Sequence, residues 1–129
     1  MSRIVFYWLP RILAILFIAF ISMFALDVFR EGGSPMQIAI ALFMHLIPSA
    51  VLLIALILAW RWEWIGVLFF SAAGALMLYI VWVRPLPFYQ QSLDHRIFGS
   101  LIIAGPALLV ALLFLTGWFM RHRLRAPKA

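Results

Sequence analysis

Along the chain, long apolar runs alternate with short polar breaks, and the polar residues fall almost entirely in the breaks. A membrane span needs about 20 mostly apolar residues. Four segments meet this requirement: 12–29, 36–60, 64–83 and 97–120. Arg11 precedes the first, and the Asp27, Arg30 and Glu31 cluster closes it. Gly32, Gly33, Ser34 and Pro35 form the next loop, and Pro35 is suited to open a helix because its missing N–H is not needed there. The triplet Arg61-Trp62-Glu63 turns the second segment into the third. The longest connection, 84–96, contains Pro85, Pro87, Phe88 and Tyr89. Ser92 is placed to cap the fourth segment, with Asp94 in its first turn. The expected fold class is therefore all-α: a polytopic membrane protein, an up-down bundle of four transmembrane helices, with residues 1–129 as one transmembrane domain.

Composition agrees with this reading. Of the 129 residues, 67% are hydrophobic and 11% charged, against about 25% charged in soluble domains. A chain this short cannot bury so much apolar surface within itself, so lipid is the expected solvent. The absence of cysteine excludes disulfides, thiolate metal sites and cysteine nucleophiles. A net charge of +6 would suggest nucleic acid in a soluble protein. Here the basic residues flank apolar segments, so the expected partner is the bilayer and not nucleic acid. The first apolar run lacks a small-x-small cleavage pattern and is expected to be retained as a helix.

Four spans place both termini on one side. Arg3, Arg11, Arg61, Arg121, Arg123, Arg125 and Lys128 fall on that side, and Arg30, Arg84 and Arg96 on the other. The excess of Arg and Lys orients both termini toward the cytoplasm, in a cell (inner) membrane. Trp8, Trp60, Trp62, Trp64 and Trp118 then line the cytoplasmic interface, with Trp82 and Tyr89 at the outer one. An indole there keeps its ring dry and its N–H wet.

Three stretches resemble a known family: Phe24-Ala25-Leu26-Asp27-Val28-Phe29, Met44-His45-Leu46-Ile47-Pro48 and Ala59-Trp60-Arg61-Trp62-Glu63-Trp64-Ile65-Gly66. They look like a family of small, uncharacterised bacterial and archaeal membrane proteins, with the likeness running over residues 11–80. The resemblance implies a four-helix membrane fold and, since the family has no assigned activity, says nothing about function. Four-helix multidrug transporters of similar length depend on a carboxylate inside the first span, and segment 12–26 has none.

Candidate chemistry is sparse. His45 is the ionisable residue set deepest in a span, about 13 Å from the helix end at Met36. Polar groups at such depth normally face other helices. Ala41, His45 and Ser49 share one stripe, expected to face the bundle, where Ser22 completes a polar layer with His45 and Ser49. Small residues nearby, Gly74, Ala75 and Gly105, leave room either for a polar pocket or for close helix contact. Pro48 cannot donate to the carbonyl of Met44, which adds a free acceptor. Near the outer interface, Asp27 and Tyr79 form a candidate pair, with an interfacial Asp27 that meets Arg30 or water as the plainer alternative. His95 and His122 lie at opposite ends of the fourth span, so bis-histidine haem ligation and a three-histidine zinc site fail on depth, and no cofactor is expected. Glu63 is expected at the start of the third helix, stabilised by the free N–H groups there.

No catalytic constellation, phosphate loop or metal spacing occurs, so the chain is expected not to be an enzyme. The small-xxx-small pairs Ser71/Ala75 and Ser100/Ala104 suit helix association and point to a homo- or hetero-oligomer. The leading expectation is an accessory or interaction subunit of a membrane assembly. The alternative is a small transporter, or a lipophilic-ligand or proton-handling protein, built on the His45 layer.

Overall fold

The computed structural model describes residues 2–84 and 92–125. Tyr89 of the expected outer belt, with Pro85, Pro87 and Phe88, and Lys128 of the tail, lie outside the described residues. Helix α1 (Ser2–Met23) continues through a 3-10 turn at Phe24–Asp27 into the single turn α2 (Val28–Glu31). Then come α3 (Pro35–Ala59), α4 (Glu63–Trp82), α5 (Leu93–Gly99) and α6 (Gly105–Arg125), the last two joined by a π-helical stretch at Ser100–Ala104. Among the described residues, four stretches are long and apolar enough to cross a membrane: Ile4–Glu31, Pro35–Ala59, Glu63–Trp82 and Leu93–His122. Over those residues the protein is all-helical, a polytopic four-span bundle.

Local sequence explains most boundaries. Ser34 caps α3 in a reciprocal box: its Oγ accepts from the Gln37 N–H, and the Gln37 side chain accepts from the Ser34 N–H. Pro35 follows at the first helical position. Gly32 and Gly33 make the sharp turn before it with φ of 72° and 143°, a conformation that side-chain-bearing residues rarely adopt. Ser92 stands at the start of α5, yet its hydroxyl lies 2.8 Å from His95 Nδ1 and makes no bond to the helix backbone. In the fourth span, Pro106 cannot donate to the Ile102 carbonyl, and the ladder shifts locally so that the Gly105 N–H bonds the Ser100 carbonyl.

The first span begins earlier than the apolar pattern from Ile12 suggests. The segment Ile4–Leu9 is itself apolar and helical, so α1 runs through Pro10 and Arg11. Arg11 is thus enclosed by the bundle and does not flank it.

Each span packs against its sequence neighbours, and α6 returns to close the bundle against α1. The most extensive contact joins α4 to α6. Inward stripes at three- and four-residue spacing form the core. They are Ala14, Phe17 and Ile18 from α1, Leu52, Leu56 and Ala59 from α3, Phe70 from α4, and Ala107, Val110, Ala111 and Phe114 from α6. Phe70 is wedged between Phe17 and Phe114, with ring centroids 6.2 and 6.1 Å away. Glycines on α4 allow the tight α4–α6 approach. A Cβ at Gly66 would sit 2.8 Å from the Phe114 ring, and one at Gly74 would sit 2.7 Å from Leu108.

Candidate functional site

The most polar feature of the bundle interior lies at the end that carries both termini. Tyr7 and Arg11 are one helical turn apart on α1 and so share a face. Glu63 opens α4, and Arg121 lies in the last turns of α6. Arg11 is 0% exposed, about 10 Å along the span from Ile4. Glu63 is 6% exposed. Its Oε1 lies 3.5 Å from Arg11 Nη2 and 2.7 Å from Arg121 Nη2. Neither approach has hydrogen-bond angles, so the carboxylate oxygen is held between two cations by charge. Arg11 Nη1 donates to the Tyr7 carbonyl. The guanidinium carbons of Arg11 and Arg121 lie 3.7 and 4.8 Å from the centroid of the Tyr7 ring, close enough for cation–π attraction to both.

Helix geometry favours the arrangement. Glu63 sits at the positive N-terminal end of α4 and Arg121 near the negative C-terminal end of α6. Helix α6 passes close by at Gly117, where a Cβ would make ordinary contacts at 3.5 Å with the Phe6 carbonyl and 3.6 Å with Glu63 Oε1. That carbonyl lacks its usual helical donor because residue 10 is proline. Taking a carboxylate or guanidinium out of water is expensive, and the cost is offset only when opposite charge is immediately at hand. Arg11 can therefore lie within the bundle because Glu63 is there.

The sequence-predicted polar layer is distributed differently from expectation. Ser49 does face inward and is buried, with its Oγ lacking a hydrogen-bond partner. Ser22 is half-buried and donates to the Ile18 carbonyl of its own helix. His45, however, is exposed, and its Nδ1 pairs with the Ala41 carbonyl one turn back at 2.9 Å. The expected orientation of His45 toward the bundle is thus corrected: α3 is apolar on every face, so its pattern does not choose a side, and packing turns Ser49, Leu52 and Leu56 inward. Asp27 is exposed and pairs with Arg30 at 3.9 Å, the plainer alternative, while Tyr79 is exposed on α4.

Ser100 and Ala104 are used inside the bundle. Ser100 Oγ accepts from Trp82 Nε1 at 3.0 Å and donates to the Arg96 carbonyl, and Ala104 is buried opposite Gly74. Of the other pair, Ser71 is half-buried and Ala75 exposed. Arg96 donates from Nε and Nη2 to the Val81 carbonyl and from Nη2 to that of Trp82, tying off the end of α4. Its guanidinium also lies 4.9 Å from the Trp82 ring.

Sequence reasoning missed the Arg11–Glu63–Arg121 cluster. The available signal was the apolar segment Ile4–Leu9 on the N-terminal side of Arg11, together with an acid on the same side of the bundle. Among the described residues, no three His, Asp or Glu side chains converge to hold a metal.

Fold and polar interior together define a small polytopic helical bundle in which an enclosed charge cluster ties together the first, third and fourth spans. The chain belongs to the family described as domain of unknown function DUF7670, whose model matches residues 1–126. No curated protein and no solved structure matches the chain.

Proposed function

We propose that the protein is a non-enzymatic interaction subunit of a membrane assembly, and that α3 carries its docking point. His45 carries this reading. It lies ten residues into the 25-residue α3, close to the helix midpoint, and it is exposed. A polar group at bilayer depth is costly and normally faces protein. The Ala41 carbonyl can only accept, so Nδ1 donates to it, and Nε2 is left for a second partner. A transmembrane segment that offers a hydroxyl or amide N–H would satisfy it. Supporting this, α3 is the least buried of the four spans.

The test is photo-crosslinking in cells from Leu42, partly exposed and one turn from His45 on the same face, with Leu112 on α6 as the lipid-facing control. Protein adducts at Leu42 that disappear in His45→Phe support the docking face. Lipid adducts alone at both positions would overturn it. For orientation, the Arg and Lys asymmetry puts both termini in the cytoplasm, in the cell membrane. Reporter fusions at each terminus should both read cytoplasmic, and an exported C-terminus would refute the assignment.

A further inference from the structure

A second feature at the terminus-bearing end is independent of His45. Between the turn that precedes α4 and the last turns of α6 lies a cleft lined by Arg61, Trp62, Glu63, Trp64, Trp118, Arg121 and His122. We propose that this cleft binds a phosphate group at the membrane surface, in the first instance the headgroup of an anionic phospholipid.

The charge balance favours an anion. Two guanidiniums, those of Arg61 and Arg121, line the cleft together with one carboxylate, Glu63. Glu63 is buried and already held by Arg11 and Arg121. Arg61 is left facing the cleft without an ion pair among the described residues, its guanidinium 5.7 Å from the Trp62 ring. An Arg fork matches phosphate oxygens in geometry as well as charge. Trp118 packs edge-on against His122 at 4.7 Å, which orients that imidazole on the cleft wall. The indoles of Trp62 and Trp64 are half-exposed beside the cleft, where glycerol and the upper acyl chain of a lipid would lie. A cleft of cations with an aromatic rim at the end of four apolar spans matches a headgroup better than a fully solvated metabolite.

Native mass spectrometry of the full chain, released from mild detergent after equilibration with a mixture of phosphatidylglycerol and phosphatidylcholine, tests the site. The expected result is selective retention of phosphatidylglycerol. Arg61→Gln should reduce that retention about five-fold, the loss of one surface cation near lipid phosphate. Arg30→Gln, a cation exposed at the opposite end, should leave it unchanged and reports on folding and general charge. Adding inorganic phosphate distinguishes the sources. Persistence of the lipid identifies a headgroup site, whereas displacement at comparable concentration identifies a site for free phosphate. Equal retention of the two lipids, or unchanged retention in Arg61→Gln, would overturn the proposal.

Discussion

Replacing Glu63 by Gln removes the one negative charge from a cluster that holds two guanidiniums. The side chain keeps its size, so the α4–α6 contact at Gly117 is preserved and the effect is electrostatic. Arg11, 0% exposed, cannot turn to water once its counter-charge is gone. Breaking a buried ion pair from one side costs about 3–5 kcal/mol, because an uncompensated charge stays enclosed. Arg121 is 44% exposed and can rotate outward, so Arg121→Gln should cost below about 1 kcal/mol after allowance for water screening. Arg11→Met should also cost less than Glu63→Gln, since Glu63 then keeps Arg121 at 2.7 Å and the methionine refills the space. The double variant Arg11→Met/Glu63→Gln should lie within about 1 kcal/mol of the natural protein, as buried pairs exchanged together for uncharged groups often do. Reversible unfolding in mixed micelles across the four variants reads these differences as a double-mutant cycle. A Glu63→Gln cost below about 1 kcal/mol, or strict additivity of the two changes, would refute the idea that Glu63 is what allows Arg11 to be enclosed.

Other perturbations address packing and caps. Gly66→Ala should destabilise by about 1–3 kcal/mol, because its Cβ would meet the rigid, fully buried Phe114 ring at 2.8 Å. Gly74→Ala should cost less, as Leu108 can change rotamer, and thermal unfolding in detergent ranks the two. Arg96→Ala should lose about 1–2 kcal/mol of local stability by freeing the Val81 and Trp82 carbonyls, seen as faster amide exchange in the last turn of α4 and unchanged exchange in α3. Arg96→Lys should restore only part of this, because an ammonium lacks the fork that reaches both carbonyls. Ser34→Ala should cost about 1 kcal/mol through loss of the α3 capping box, with no change at the terminus-bearing end.

The apolar segments by themselves determined that four helices form and roughly where. Twenty consecutive apolar residues can satisfy their backbone groups in lipid only as a helix, whatever surrounds them. Local chemistry likewise determined the start of α3, where Ser34, Pro35 and Gln37 form a cap that needs no tertiary partner. The plainer Asp27–Arg30 pairing was legible for the same reason, since both groups lie within one turn.

The position of Arg11 shows where such reasoning stops. A charge before an apolar run reads as a boundary because, for an isolated helix, burial of that charge is too costly. Only the packing of α4 and α6 brings Glu63 within 3.5 Å and makes burial tolerable. The face of α3 was equally undetermined. A helix apolar all round has no preferred side in lipid, so the sequence could count Ala41, His45 and Ser49 as one stripe without knowing which way it points. Steric fit of Leu52, Leu56 and Ala59 against the other spans set the rotation, turning Ser49 inward and leaving His45 outside. Charge neutralisation and helix rotation both depend on residues far apart in the chain, and the tertiary structure alone brings those residues together.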